Sequence, residues 1–401
     1  MTAAGDFACG PGATAANGNS TAVGDNATAT GQASTAVGVS TNATGTGAVA
    51  IGAGADAAGN NAIAIGGDIQ ANFDGAIAIG TSATSVGANG NIAIGSNADA
   101  TGVGANAIGL GAQAIGAGAT VFGTGAQATG ETSIAIGSGA TAGPLAGGAT
   151  LDHDGVAIGD KAKSTGFHST AIGGEAVASG AGSQAFGWKS VASGTQSAAV
   201  GNQAQATNTA ATALGNLAQA TGVNSTALGN GALASGTNST AIGQGASTAG
   251  FANSVALGTG TVATAANQVN VGGRTIGGVA AGVLATDAVN VAQLNAAVGN
   301  INNGIAALED GIDTLFDLRS SDRRDMKQGV AAAMAMAQAA MPSTTGGFSY
   351  AVNGAIFRGE YAGGASMMYR LNTEYPMAVS VGVSFAGNKN NGARVGIAGE
   401  F

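Results

Sequence analysis

The sequence is short of the residues from which most catalytic and nucleic-acid-binding sites are built. Of its 401 residues only 8% are charged and 4% aromatic, and there are two histidines, four prolines and one cysteine. The lone Cys9 excludes a disulfide framework and a cysteine-based metal site. We interpret it as a free thiol without a structural role, with an interchain crosslink as the alternative. A net charge of −9 offers no basic stripe for phosphates, so no nucleic-acid partner is expected.

Other absences bear on fold class and export. Glycine is abundant, at 73 residues, but it does not recur in triplets and proline is scarce, which excludes collagen. Because 45% of the residues are apolar, disorder is not expected either. No apolar run is long enough for a membrane-spanning helix. The start of the chain has neither a basic segment nor an apolar core, so no secretory signal peptide is visible, and export would require a truncated or processed start.

A fourteen-residue repeat occupies the first two thirds of the chain. Its marker is a glycine that follows a short apolar pair such as Ala-Ile, Ala-Val or Ala-Leu. A fixed period predicts a solenoid, here a head over residues 1–266, in which each repeat packs only against its neighbours. Two intervals are fifteen residues and one is twenty-two. We expect the seventeen markers to be structural residues: Gly24, Gly38, Gly52, Gly66, Gly80, Gly95, Gly109, Gly123, Gly137, Gly159, Gly173, Gly187, Gly201, Gly215, Gly229, Gly243 and Gly258.

Numbered from the marker as zero, each repeat has a regular side-chain pattern. Position −1 is Ile, Val, Leu or Phe, position −2 is Ala except at Val121, and small residues recur at +3 and +5. Apolar positions two residues apart predict two short strands per repeat, joined by Gly-, Asn- and Ser-rich corners. Coils stacked about 4.8 Å apart would form a rod about 80 Å long. Because a solvent-facing position would tolerate Thr, Lys or Glu, we infer that the Ala face at −2 is covered by another copy of the chain.

No constellation of side chains indicates catalysis. The twenty-two-residue interval contains Asp152, His153 and Asp154, but three adjacent residues do not point at one ion, so a solvated loop is the favoured interpretation. His168, in a repeat corner, is interpreted in the same way. The Gly-x-Gly strings lack the strand, helix and lysine of a phosphate loop. We therefore expect no enzyme activity, no cofactor and no metal.

The repeat gives way at Asn267 to a connecting segment, the neck, at 267–290, and then to a heptad pattern over 291–318. Apolar residues at alternating spacings of three and four predict a short coiled-coil stalk. A helix on a globular core is the alternative, which we disfavour because no other domain is present to receive it. β-branched residues at a, with Leu mostly at d, favour two strands. The predicted stalk core is Val291, Leu294, Val298, Ile301, Ile305, Leu308, Ile312 and Leu315.

The last segment, 319–401, combines a helix with four alternating strands. The heptads break at Arg319, and an Ala/Met-rich helix is predicted as far as Met341, followed by Pro342. Its length of about 35 Å is enough to cross a bilayer core of about 30 Å. The strands are apolar and aromatic on one face and small or polar on the other, which is typical of a transmembrane barrel, although a soluble sandwich would alternate similarly. By this alternation Gly382 faces the barrel lumen.

The number of strands predicts the number of chains. Four strands cannot close a barrel, because bacterial barrels have at least eight. Eight strands from two chains would leave no room for helices inside, since such a barrel is filled by its own side chains. Twelve strands from three chains leave that room. The sequence therefore predicts a homotrimer, each chain forming one third of a 12-stranded transmembrane β-barrel, and this outweighs the two-stranded preference of the heptads.

The sequence resembles the trimeric autotransporter adhesins of the YadA-like kind over all 401 residues. The resemblance is carried by repeats such as Ser169–Gly173, by the neck run from Asp287 through Asn290 to Gln293, and by an Ala/Met helix and strands that end in Phe401. It implies a mainly β chain with a parallel left-handed β-roll head, a neck, a short stalk and an anchor in the outer membrane lipid of a Gram-negative bacterium, through which the head is exported to the cell surface. It also implies adhesion to host matrix, cells or sister bacteria, and recognition of Phe401 by the barrel-insertion machinery.

Other functions fit parts of this pattern. An ice- or mineral-binding solenoid would need a continuous ladder of one residue type, and position −3 offers Thr in many copies but not in all. A structural surface coat without a specific host ligand is a further alternative. A surface-anchored enzyme would need side chains that the repeats lack. The ice- or mineral-binding alternative would also leave the predicted anchor unexplained.

Overall fold

The computed structural model describes residues 5–87, 89–144, 154–387 and 389–400. The chain divides into two compact units, Met1–Thr275 and Ile276–Phe401. The first contains the repeats and is a parallel β-solenoid. The second contains one long helix and four antiparallel strands. Both units agree with the predicted mainly β architecture.

The solenoid consists of two parallel sheets, sheet A and sheet B. A typical coil contributes one strand at positions −3 to −1 to sheet A and one at +4 and +5 to sheet B, as the repeat pattern predicted. The strands of sheet A are Phe7–Cys9, Thr21–Val23, Thr35–Val37, Val49–Ile51, Ile63–Ile65, Ile77–Ile79, Ile92–Ile94, Asn106–Ile108, Thr120–Phe122, Ile134–Ile136, Val156–Ile158, Thr170–Ile172, Gln184–Phe186, Ala198–Val200, Thr212–Leu214, Thr226–Leu228, Thr240–Ile242, Val255–Leu257 and Val269–Asn270. The strands of sheet B are Thr14–Ala15, Thr28–Ala29, Asn42–Ala43, Asp56–Ala57, Gln70–Ala71, Thr84–Ser85, Asp99–Ala100, Gln113–Ala114, Gln127–Ala128, Thr141–Ala142, Lys163–Ser164, Val177–Ala178, Val191–Ala192, Gln205–Ala206, Gln219–Ala220 and Leu233–Ala234.

The solenoid has one coil before the first marker glycine and one strand after the last. Phe7–Cys9 pairs in parallel with Thr21–Val23, and Gly10 takes the marker position with φ 133°, which adds one coil that the pattern missed. The pattern missed it because Cys occupies position −1, where the other coils have Ile, Val, Leu or Phe. At the other end Val269–Asn270 still pairs with sheet A, so these two residues of the predicted neck belong to the last coil.

The sheets continue across the long interval between Gly137 and Gly159. The strand Ile134–Ile136 pairs directly with Val156–Ile158. Of the predicted solvated loop, Asp152 and His153 lie outside the described residues. Asp154 is exposed.

The interior of the solenoid corrects the inference about the Ala face. In a single chain the Ala side chains at −2, such as Ala213, are completely buried, as are those at +3 and +5, such as Ala218 and Ala220. The −2 face is therefore covered by sheet B of the same chain and not by another copy. The narrow interior admits few larger groups, and Ile69 is the largest fully buried side chain among the described residues. Small residues at −2 are thus a requirement of the coil itself.

The marker glycines are required by the turn that follows each strand of sheet A. Gly187 has φ 130°, a region that L residues with a side chain rarely adopt, and an added Cβ would lie 2.5 Å from the carbonyl oxygen of Gly201 in the next coil. Stacking identical turns at the β-sheet spacing leaves no space for a side chain there. The same φ range and equally close backbone contacts occur at Gly173, Gly201, Gly215, Gly229 and Gly243.

The second unit combines one helix with a four-stranded sheet, sheet C. The helix, Val291–Ala335, is continuous, so the heptad break at Arg319 is not a break in the helix. Among the described residues, no helix has both the length and the hydropathy needed to cross a membrane. The strands of sheet C pair antiparallel in chain order and are Phe348–Phe357, Glu360–Arg370, Met377–Ala386 and Asn390–Gly399.

The helix ends six residues earlier than the predicted end at Met341. Beyond Ala335, carbonyl groups that an α-helix would use internally accept hydrogen bonds from sheet C. Ser366 Oγ and Asn353 Nδ2 donate to the Ala337 carbonyl at 2.8 and 3.3 Å, and Ser349 Oγ donates to the Ala340 carbonyl. These tertiary bonds favour a non-helical segment at 336–341 over another helical turn, and a local sequence pattern does not encode them.

Candidate functional site

The outer face of sheet A carries a continuous apolar row at position −1, beside a −3 row of mixed composition that includes Thr, Val and Ile. We call the −1 row the sheet A stripe. Its −1 side chains are half-buried or exposed along the whole sheet, with 57% of Phe122 and 45% of Leu214 accessible in the single chain. An uninterrupted row of exposed Ile, Val, Leu and Phe is unusual for a monomeric surface and marks an interface. The two sides of each strand therefore have different partners: the Ala side faces sheet B, and the branched side faces outward.

The outer face of sheet B is mostly polar and uncharged. Its +4 positions include Gln113, Gln127, Gln205 and Gln219, and Gln127 Nε2 donates to Gln113 Oε1 of the neighbouring coil at 3.0 Å. Partial burial raises the pKa of Asp56 and Asp99 on the same face. This face therefore presents hydrogen-bonding groups at most coils, with Val177, Val191 and Leu233 as exceptions, and differs from the sheet A stripe.

One corner of the solenoid, at positions +1 and +2, concentrates aromatic and charged groups. Trp188 lies over Gly174 of the preceding coil, where an added Cβ would meet the indole Cδ1 at 3.3 Å. Lys189 Nζ is 4.4 Å from the centroid of this ring and 3.7 Å from Glu175 Oε2. Lys161 continues the same corner. The charged side chains of Lys189 and Glu175 therefore lie beside the exposed ring of Trp188.

The opposite corner, at position −5, carries amide ladders and one ion pair. Asn224, Asn238, Asn253 and Asn267 have positive φ, and each side-chain amide donates to the next along the row at 3.0–3.1 Å. These bonds hold the turns in register. In the same row His168 Nδ1 contacts the carboxylate of Asp154, so His168 helps to hold the residue that ends the long interval.

The three neck residues form one hydrogen-bonded cluster. Asp287 Oδ2 accepts bonds from the backbone N–H groups of Val283 and Leu284 at 2.9 and 2.8 Å. Asn290 caps the helix through the Gln293 N–H at 3.0 Å, while Gln293 Oε1 and Nε2 bond both backbone groups of Gly282 at 2.8 and 2.9 Å. The backbone bonds from Leu284 and Val283 lower the pKa of Asp287. The cluster fixes the turn that leads into the helix.

Replacing Asp287 with Ala is expected to release this turn. The amides of Val283 and Leu284 should then exchange with solvent faster at neutral pH, as measured by hydrogen exchange. Because the folded-state pKa lies below the ordinary value of 3.8, the stabilisation is present above that pH and is lost as pH falls through the lowered pKa. Glu309→Ala, in the exposed part of the helix, is the control and should leave both amides unchanged. Equal protection in the Asp287 variant would contradict the assigned role.

The predicted stalk core lies on the helix with its side chains uncovered. Every one of these residues is exposed in the single chain, from 45% for Val298 to 71% for Val291. A row of uncovered Val, Ile and Leu at heptad spacing has a natural partner in other helices of the same kind. The helix therefore has an apolar seam that is exposed in the single chain, as the sheet A stripe is.

A polar cluster joins the helix to the end of sheet C at which Phe357, Glu360 and Ala386 lie. Gln328 is only 7% exposed, its Nε2 donates to Glu360 Oε2 at 2.9 Å, and its Oε1 accepts from Asn390 Nδ2 at 3.1 Å. Arg324 Nε lies 3.7 Å from the other oxygen of Glu360. The helix is therefore held against sheet C by directional bonds at this end and by packed Ala residues, including Ala331 and Ala335, further along.

Gly382 lies on the face of sheet C that packs against the helix. It is buried, whereas its neighbours Val381 and Val383 are exposed on the opposite face. The alternation predicted for this strand is therefore present. Phe401 lies outside the described residues, and its predicted role in barrel insertion stays a prediction.

Sequence reasoning missed the Trp188 corner and the Gln328 cluster. The first had a visible signal, because Trp188 is the only tryptophan of the chain and stands beside a lysine. The second had none, since Glu360 and Asn390 are 32 and 62 residues away from Gln328 along the chain. Within the described residues no group of three or more His, Cys, Asp and Glu side chains is placed to hold a metal ion.

Two family models match the chain. The YadA head domain repeat matches residues 15–41, 29–55, 43–68, 57–83, 114–140, 164–190, 192–218 and 220–246. The coiled stalk of trimeric autotransporter adhesin matches residues 275–315. The chain is also similar to a solved structure, the collagen-binding domain of the Yersinia adhesin YadA, at 22% identity over 64% of this chain and 84% of that one, with a TM-score of 0.17. Comparison with curated protein sequences gives no match.

Proposed function

The chain belongs to the YadA-like trimeric autotransporter adhesins, and from this premise we propose that it is a homotrimer of the bacterial outer membrane whose head attaches the cell to host matrix, host cells or other bacteria. The observation that carries the proposal is the succession of a solenoid with an uncovered stripe, a helix with an uncovered seam, and a sheet with one exposed apolar face. Each is an incomplete surface in a single chain. Trimerisation and insertion into lipid complete all three.

The sheet A stripe supports association of the heads. Burying apolar surface contributes about 25 cal/mol per Å², so a row of exposed side chains along the whole head represents a large driving force. The stripe and the stalk seam require a partner of the same length and repeat, and identical chains supply both. We therefore assign the stripe and the seam to contacts between subunits.

Sheet C supports an anchor in the outer membrane. Its face opposite the helix exposes Tyr350, Val352, Tyr361, Val395 and Ile397, each by more than 70%. A lipid-facing band of this composition next to a polar or small inner face is typical of transmembrane barrels. Three such sheets would enclose three helices, and the barrel would serve as the export pore for its own head.

The ligand of the head is proposed at the level of its class. The similar solved structure is described as a collagen-binding domain, so a matrix protein is the first candidate. A uniform repeating surface binds through many weak contacts spread over several coils. A coat without a specific ligand is the second candidate, favoured by the mostly uncharged outer face of sheet B.

Both parts of the proposal can be tested with the full chain produced in a bacterium that lacks other adhesins. We expect a detergent-resistant trimer by native mass spectrometry, and saturable attachment of the cells to immobilised collagen or fibronectin. Cells that carry the same expression vector without the insert are the control. A monomer or dimer in detergent would overturn the assembly. A surface-displayed trimer that adheres to neither matrix proteins nor sister cells would leave the coat as the function.

A further inference from the structure

The corner at positions +1 and +2 collects side chains that are scarce elsewhere in the head. Lys161, Lys163 and Lys189 are the only lysines or arginines in residues 1–266, and Trp188 is the only tryptophan of the chain. Lys161 and Lys189 stand at +2, Trp188 at +1, and Lys163 on the adjoining sheet B. An unbiased surface would distribute these residues along seventeen coils. Their placement within three coils indicates a localised recognition surface.

The tryptophan is presented as a platform. Its indole rests on Gly174, so the ring is supported by backbone on one side while 44% of the residue remains accessible. Lys189 Nζ stands 4.4 Å from the ring centroid, and Glu175 holds this lysine at 3.7 Å. A large aromatic face with fixed orientation costs little side-chain entropy on binding, which is why Trp is enriched among the residues that dominate binding energy.

The row at +1 continues from this platform as a ladder of amides. Asn202, Asn216 and Asn230 follow Trp188 in successive coils, all exposed, and Asn230 Nδ2 donates to Asn216 Oδ1 at 2.9 Å. We call Trp188 and these three residues the corner ridge. Each amide offers both donors and an acceptor, and the coil spacing places one amide about every 4.8 Å. The internal bond fixes the amide orientations and leaves the remaining donors and acceptors toward solvent.

We propose that the corner ridge binds a neutral β-1,4-linked glycan laid parallel to the solenoid axis. The apolar face of one sugar ring would stack on Trp188, and hydroxyls of the following rings would meet the amides coil by coil. In such an extended glycan the rise per ring is close to the coil spacing, and alternate rings present opposite edges to the amides. Anionic polymers are disfavoured because the head carries eleven Asp and Glu against its three lysines. This inference rests on the proposed adhesive function and names one ligand class for it.

The test uses cells that display the full chain and fluorescent hexasaccharides as probes. Chitohexaose and cellohexaose are the neutral β-1,4-linked probes, and a heparin hexasaccharide is the anionic one. We expect saturable binding of at least one neutral probe, weakened about tenfold or more by Trp188→Ala and restored in part by Trp188→Phe. Leu110→Ala is the matched control, because Leu110 occupies the same +1 position in another coil and is 55% exposed. It should bind like the wild type.

Three outcomes would overturn the glycan site: no saturable binding of either neutral probe by the wild type, equal binding by Trp188→Ala, or preferential binding of heparin. Display and melting temperature of each variant are measured in parallel, and Gly174→Asn supplies a second variant that displaces the indole without removing it. It should weaken binding as well. Attachment to collagen and fibronectin is recorded on the same cells. A result that refutes the glycan site is thereby distinguished from one that refutes the adhesive function.

Discussion

Glutamate in place of Ala213, Ala227 and Ala241 is expected to unfold the C-terminal part of the head. Each of these side chains is completely buried between sheets A and B of its own chain. A carboxylate there would be desolvated without a partner, at a cost of about 3–5 kcal/mol for each site, and its extra atoms would not fit. Since the stability of a solenoid is set by neighbouring coils, three adjacent disrupted coils interrupt the structure locally.

The matched variant changes the next residue along each strand. Leu214, Leu228 and Ile242 point outward, so glutamate at these positions remains in water in the single chain. We expect the coils to stay folded, while association of the heads through the sheet A stripe is weakened. The two triple variants carry the same number of new charges in the same three coils. They differ only in the side of the strand on which the charges lie.

Hydrogen exchange of the full-length protein separates the two outcomes. The alanine variant should lose amide protection in both sheets between about residues 198 and 256, whereas the leucine and isoleucine variant should retain most of it. The leucine and isoleucine variant, although folded, should show fewer crosslinks between heads than the wild type. Retained protection in the alanine variant would refute the assignment of the −2 face to the interior of the coil.

This pair of variants also shows where sequence reasoning succeeds and fails. The period of fourteen and the spacing of two predict the two strands in each coil, because backbone geometry imposes both. They do not say which side of a strand is inside. From apolarity alone, the Ile, Val or Leu at −1 would be expected to face the interior. The Ala at −2 faces it instead, because two closely packed sheets admit only small side chains. That choice depends on the distance between sheets, which is a property of the whole coil.

The second unit shows a similar division. The heptad spacing predicts the helix, and the alternation predicts the four strands, because both are local patterns. The helix end at Ala335 depends on bonds from Ser366 and Asn353 to the Ala337 carbonyl. The Gln328 cluster likewise depends on residues far away in the sequence. Such contacts exist only once sheet C is formed, so no local pattern could have predicted them.

Replacing Gly382 with Trp is expected to reduce export of the head several-fold. Gly382 is buried on the helix side of sheet C, where an added Cβ would meet Ser366 Cβ at 3.5 Å, an ordinary contact. A methyl group would therefore be accommodated, but an indole would project into the space that the proposed barrel gives to three helices. If the head is exported through this lumen, as we propose, the bulk acts on transport as well as on packing.

Val381→Trp is the control for this variant, because Val381 is the adjacent residue and points to the opposite, exposed face. An aromatic residue there adds to an exposed face that already contains Tyr and Phe and that we propose to face lipid, so display should be close to that of the wild type. Display is measured by protease accessibility of the head on intact cells. The amount of detergent-resistant trimer in the outer membrane shows whether the anchor itself has assembled. Equal display of the two variants, with equal amounts of assembled anchor, would mean that the head does not leave through a lumen lined by Gly382.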